Sequence, residues 1–140
     1  IHICKFGGGA VRALRLEEIG RLGLVELDEV SPAPGEVVVE TIATGICGSD
    51  IHGYTGHNGR RVPGQIMGHE TVGRIAALGA DVSRDRYRVG ALVTVNPVVV
   101  PPERVRAFEG REQHDPRRRV IGVDPAFVSA FAERYAVPVT

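Results

Sequence analysis

Eight consecutive residues, Gly45-Ile46-Cys47-Gly48-Ser49-Asp50-Ile51-His52, place a thiol, a hydroxyl, a carboxylate and an imidazole within six positions. Gly68-His69-Glu70 follows further along and adds a second imidazole and a second carboxylate. Thiolate sulfur, imidazole nitrogen and carboxylate oxygen are the donor types that zinc takes in proteins, so Cys47, His69 and Glu70 are candidate ligands of one ion, with Glu70 either a ligand or a water-positioning base. Taken singly, each has a plainer reading. A lone cysteine at the end of an apolar strand is usually a small core residue, and a lone histidine is usually a hydrogen-bonded or surface group. Two familiar arrangements are excluded by spacing. His-Glu-x-x-His needs a histidine where Gly73 stands, and a Cys-x-x-Cys redox pair needs a cysteine where Asp50 stands.

The elements that must position these groups read as short strands separated by turns. Val11–Leu16 and Leu22–Leu27 alternate and flank Gly20, which predicts an antiparallel pair. Ser31-Pro32-Ala33-Pro34-Gly35 breaks the chain, and the β-branched run from Glu36 to Thr44 predicts a strand that leads directly to Cys47. Glycines 53, 56, 59 and 64 with Pro63 predict an irregular loop over residues 53–66. Strands are expected at His69–Leu78 and Val89–Val95, with turns at 79–81 and 85–87. Residues 96–119, rich in proline and mixed charge, read as a solvated excursion. The tail from Phe127 fits helix or strand, with strand favoured at Glu133–Val137.

A chain of 140 residues suits one domain able to bury a core without staples. Seventeen basic residues balance seventeen acidic ones, so no charge excess favours nucleic acid or an anionic membrane. Two cysteines, Cys4 and Cys47, make no disulfide framework, and no apolar run nears the length of a membrane span. A reducing cytoplasm is the expected compartment. Residues 1–10, with Gly7-Gly8-Gly9, read as an extension or tag-like arm; the glycines lack the preceding strand and following Lys-Ser/Thr of a phosphate loop. With 18 glycines, 9 prolines and no tryptophan, the fold class is mainly β, in the barrel or partial-barrel group, with a core of Val, Ile, Leu and Ala.

Two stretches carry a family resemblance. Gly68-His69-Glu70-Thr71-Val72-Gly73, with Gly79 and Val82 after it, resembles the zinc signature of the medium-chain alcohol dehydrogenases, and Gly45–Asp50 resembles the segment bearing their first zinc ligand. The likeness runs from about Val11 through Asn96-Pro97 to the segment 131–138, and is closest to the polyol and threonine dehydrogenase branch. It implies a GroES-like, partly open β-barrel catalytic domain over residues 11–140. In that domain Cys47, His69 and Glu70 would hold the catalytic Zn2+, and Asp50 would hydrogen-bond the outer nitrogen of His69. Ser49 would accept the substrate's hydroxyl proton and His52 would pass it to solvent. Zinc as a Lewis acid would stabilise an alkoxide that expels a hydride towards NAD(P).

The chain departs from the family pattern twice. It contains no Gly-x-Gly-x-x-Gly, so cofactor-binding residues of the Rossmann type are expected only in an intact enzyme, and a third firm zinc ligand would lie past Thr140. Weak metal binding and no activity are therefore expected of this chain alone. The family's structural-zinc lobe carries four cysteines, and the equivalent positions within 96–119 hold Pro101, Arg104, Ala107 and Asp115. No structural zinc is expected, which leaves that lobe either mobile or held by other contacts. The expected partner is a small-molecule alcohol or polyol, with a homo-oligomer possible. The competing reading is a non-catalytic GroES-like binding or assembly module. A zinc-free quinone reductase is disfavoured because it has no use for Cys47, His69 and Glu70 together.

Overall fold

β-branched runs punctuated by proline and glycine produce strands here because branched side chains pack well on a pleated surface while the breakers force reversals. The structure, a computed structural model, describes residues 10–139. Cys4 and all but the last residue of the expected N-terminal arm lie outside the described residues. Strands β1 (Val11–Glu18) and β2 (Arg21–Leu27) form the expected antiparallel hairpin, closing through a turn in which Gly20 takes a left-handed φ of 83°.

A four-stranded antiparallel sheet is the centre of the molecule. β3 (Glu36–Gly45) pairs on one side with β4 (Glu70–Leu78) and on the other with β8 (Arg134–Pro138), and β4 pairs with β5 (Leu92–Thr94), giving the order β5-β4-β3-β8. The hairpin is tied to this sheet through β1. Leu14 donates its N–H to the Phe131 carbonyl and Glu133 donates to Arg12, while on the other side Leu16 donates to Gln65. The strands form an incomplete barrel that does not close. Two apolar clusters fill it. One is Val37, Val39, Ile75, Val82, Ile121, Ala130, Tyr135 and Val137; the other is Val11, Ala13, Ile66 and Ala132 under the hairpin.

Two expectations are corrected. The strand expected over 89–95 shrinks to Leu92–Thr94, because Gly90 adopts φ 86° in a turn closed by the Ala91 N–H on the Arg88 carbonyl. The loop expected from residue 53 begins later, since helix α1 (Gly48–Tyr54) runs through Gly53 and Tyr54. In β3, Val38 is buried along with Val37 and Val39, beside a register shift that sets Val38 opposite Ala77 and Val39 opposite Ile75.

Residues 96–119 are also more ordered than a solvated loop. They contain strand β6 (Val98–Val99), 3-10 turns at Pro102–Arg104 and Glu112–His114, and helix α2 (Val105–Phe108); β6 pairs with β7 (Arg119–Val120). At two of the four positions where the resemblance places cysteines, 104 and 115, stands an ion pair. Arg104 Nε lies 2.7 Å from Asp115 Oδ2, and Asp115 is 0% exposed. The Arg117 N–H reaches its other oxygen at 2.8 Å, and Arg104 lies over the Phe108 ring at 4.8 Å. The hydrogen bond from Arg104 holds the Asp115 carboxyl below its ordinary range although burial acts the other way. Native Asp115 therefore keeps its charge under conditions in which an unfolded aspartate takes up a proton. Its contribution is present above the unfolded pKa of about 3.9 and is lost as the pH falls through the lower native value. Asp115→Asn should lower the melting temperature at neutral pH by at least about 5 °C and flatten the acid limb of stability. An unchanged melting curve from pH 7 to pH 3 would refute the role.

Tyr135 lies at the centre of the larger cluster, 0% exposed, and burial pushes its phenol up to about 12. Because the native group holds its proton above the unfolded value of 10.0, its contribution is complete below pH 10 and lost as the pH rises through about 12. Tyr135→Phe should change neutral-pH stability by no more than about 1 kcal/mol, since the hydroxyl has no well-formed hydrogen bond. It should also remove part of the alkaline loss. Equal alkaline curves for both proteins would contradict this.

Candidate metal centre

The register of β3 against β4 builds the site. Gly45 stands opposite Glu70 and Thr44 opposite Thr71, so the ladder ends where the two sequence stretches of interest begin. Cys47, two residues beyond one strand end, and His69, one residue before the other, are thereby carried to the same place from 22 positions apart. A side chain at Gly45 would collide with Glu70, its Cβ falling 2.7 Å from Glu70 Oε2. The glycine leaves room for the carboxylate to turn towards its neighbours.

One ligand atom each from Cys47, His69 and Glu70 lies within 4.8 Å of the others. Donors arranged tetrahedrally on a single zinc ion at bond lengths of about 2.0–2.3 Å lie roughly 3.3–3.8 Å apart, so the three could share one ion if they drew together by about 1 Å. Sulfur, nitrogen and oxygen donors together suit zinc rather than magnesium or calcium. Cys47 and His69 are half-buried and Glu70 is exposed, which keeps one side of the cluster open.

Asp50 sits behind the ligands, 2% exposed on the inner face of α1. Its Oδ2 accepts the Cys47 backbone N–H at 3.1 Å, and its Oδ1 is 3.5 Å from His69 Nδ1. One carboxylate thus touches the backbone of one candidate ligand and the ring of another. Among the described residues, Asp50 Oδ1 and His69 Nδ1 are both buried without a completed hydrogen bond, a tension that a slight closure of the pair relieves.

Ser49 is half-buried in the first turn of α1. His52 is exposed on the same helix, its ring edge-on to His57 at 6.1 Å between centroids, and Thr55 Oγ1 lies 2.6 Å from His57 Nδ1. No hydrogen bond joins Ser49 to His52 among the described residues. The site therefore unites Cys47, His69, Glu70 and Asp50, while Ser49 and His52 occupy its helix without a direct link. Sequence reasoning missed Arg61. Its side chain is 1% exposed and its Nη2 lies 3.5 Å from Asp50 Oδ1. In a segment of glycine, arginine and proline it reads as a solvated loop charge, and no local signal marks it.

The family model for the alcohol dehydrogenase GroES-like domain matches residues 33–140. The chain belongs to the zinc-type medium-chain alcohol dehydrogenase family. Among the family's members it is 37% identical over 118 residues to an L-threonine 3-dehydrogenase of Pyrococcus abyssi, a match covering 82% of this chain and 33% of that enzyme. It is 40% identical over 110 residues to the sorbitol dehydrogenase of Bacillus subtilis, covering 71% and 31% respectively. Its fold superposes on a crystal structure of a short chain alcohol dehydrogenase, RspB, of E. coli CFT073 in complex with NADH, with a TM-score of 0.80 at 33% identity, covering 94% of this chain and 37% of that one. The chain spans about a third of the length of these family members. Among the described residues no helix is long and apolar enough to cross a membrane.

Proposed function

We propose that this chain is the metal-binding catalytic part of an NAD(P)-linked dehydrogenase that oxidises a small alcohol or polyol. The convergence of Cys47, His69 and Glu70 donor atoms within 4.8 Å of one another at the open end of the β3/β4 ladder carries this reading. A zinc ion held there would supply Lewis acidity, lowering the pKa of a bound hydroxyl towards neutrality.

The chain's own residues supply the remaining tasks. Cys47 and His69 are the soft anchors, and Glu70, exposed at the rim, is the ligand best able to give way to substrate or to hold a water. Asp50 Oδ1, 3.5 Å from His69 Nδ1, is placed to accept from it once the pair closes, which would fix the tautomer and leave Nε2 as the donor atom. Ser49, in the first turn of the same helix as Asp50, accepts the hydroxyl proton of the substrate, and His52 on the exposed side delivers it to water. The named family members act on hydroxyl-bearing small molecules, as threonine and sorbitol dehydrogenases, which supports an alcohol or polyol substrate.

Assay of the full-length protein with NAD+ and NADP+ against polyols, hydroxy amino acids and simple secondary alcohols tests the proposal. Oxidation that is lost on chelation and regained with added zinc is the expected result. Turnover indifferent to chelator, or no turnover with any alcohol by a zinc-loaded protein, overturns it.

A further inference from the structure

We propose that Arg61 is a positioning residue of this metal centre, acting through Asp50; the proposal rests on the metal reading of Cys47, His69 and Glu70. The residues flanking Arg61, from Gly59 to Gly64, are exposed, and Arg61 alone among them turns inward. A guanidinium taken out of water needs a countercharge, and the carboxylate it meets is Asp50, itself 2% exposed. The two form a buried pair directly behind the ligands.

A seat is provided for this side chain. A Cβ at Gly53 would fall 2.3 Å from Arg61 Cγ and 3.3 Å from its Cβ and Cδ, so the aliphatic stem lies against the bare backbone of α1. Gly53 and Asp50 are three residues apart and share the buried face of that helix. Helix α1 therefore presents, one turn apart, a groove for the stem and an anion for the head.

The geometry at Asp50 Oδ1 shows what the pair does. Arg61 Nη2 and His69 Nδ1 both stand 3.5 Å from that oxygen, while Oδ2 takes the Cys47 N–H. Arg61 Nε and Nη2 have no completed hydrogen bond among the described residues. A closing of roughly 0.6 Å at each contact brings it to hydrogen-bond length. Without the guanidinium, a buried carboxylate would be left with the His69 ring and one backbone N–H, and would turn towards water. That turn releases His69 Nδ1 and loosens the Cys47 turn. Arg61 thus keeps Asp50 aimed, and Asp50 aims the ligands.

Three variants separate this role from simple loop packing: Arg61→Met keeps the stem without charge, Arg61→Lys keeps the charge without the fork, and Gly53→Ala keeps Arg61 but removes its seat. Co2+ titration of the chain, followed by thiolate-to-metal absorption, should show roughly tenfold weaker binding for Arg61→Met, in the range set by loss of an outer hydrogen-bond partner. Arg61→Lys should recover part of the loss, and Gly53→Ala should move in the same direction as Arg61→Met. In an Asp50→Asn background, Arg61→Met should cost nothing more, because its action runs through Asp50. The 15N shifts of the His69 ring in the metal-free chain should report one tautomer, protonated at Nδ1, in the parent and a mixture in Arg61→Met. A folded Arg61→Met with parental Co2+ affinity, or full additivity with Asp50→Asn, overturns the proposal while leaving the metal reading standing. If the parent chain takes up no Co2+, the metal reading fails and this role fails with it.

Discussion

Cys47→Ser should abolish measurable capture of a thiophilic metal ion by this chain. A serine hydroxyl stays protonated where a thiolate is needed, so one of the three donors that converge among the described residues is removed outright. The loss should exceed the roughly 10–100-fold that follows removal of an outer hydrogen-bond partner. The fold should be unaffected, because Cys47 is half-buried and belongs to neither apolar cluster. Co2+ absorption and competition with a chromophoric chelator give the affinity, and circular dichroism gives the fold. Retention of parental affinity by a folded Cys47→Ser would show that the ion, if bound, sits elsewhere, and the site described here would have to be abandoned.

Gly68→Ala should have the largest effect on stability. Gly68 adopts φ 93°, a left-handed conformation costly to residues with a Cβ. An added Cβ would also fall 2.5 Å from Phe131 Cδ1 and 2.8 Å from the Phe131 backbone nitrogen. That backbone cannot easily retreat, since Phe131 donates to the Met67 carbonyl and Ala130 donates to the Gly68 carbonyl, at 2.9 and 3.1 Å. Strain and overpacking together should cost about 3 kcal/mol, read from denaturant midpoints. Because His69 is the next residue, Co2+ affinity should fall in the same variant. A loss below about 1 kcal/mol with unchanged affinity would mean that the segment carrying His69 is not clamped as described.

Donor chemistry was legible in the sequence to an unusual degree. Cys47, His69 and Glu70 stand out by residue type, and the β-branched run from 36 to 44 announces the strand that delivers the first of them. The hairpin β1/β2 and strand β8 also follow from local pattern, β8 displaced by one residue from its expected span. Local pattern failed where backbone conformation departs from side-chain propensity. The run 89–95 has the composition of a strand, yet Gly90 bends it, and α1 is too short and too rich in glycine to show a helical period.

The lobe at 96–119 illustrates the other limit. Its missing cysteines were plain from residue identity, but nothing in the order of residues says that Arg104 and Asp115 meet, because the pairing closes only when two turns fold back on α2. Arg61 is the sharper case. Hydropathy places an arginine in water, and only the packed structure reveals that Gly53 opens a channel for its stem and Asp50 awaits its charge.

Taken alone, the sequence determined the donor set, the strand-rich architecture and the family, because residue chemistry and two-residue alternation are local properties. Tertiary structure alone decided which of these side chains share a point in space, which carboxylate lies behind them and which buried cation faces that carboxylate. Those are distances between segments remote in the chain, set by the register of β3 on β4 and by a side chain lying across the bare backbone of one glycine.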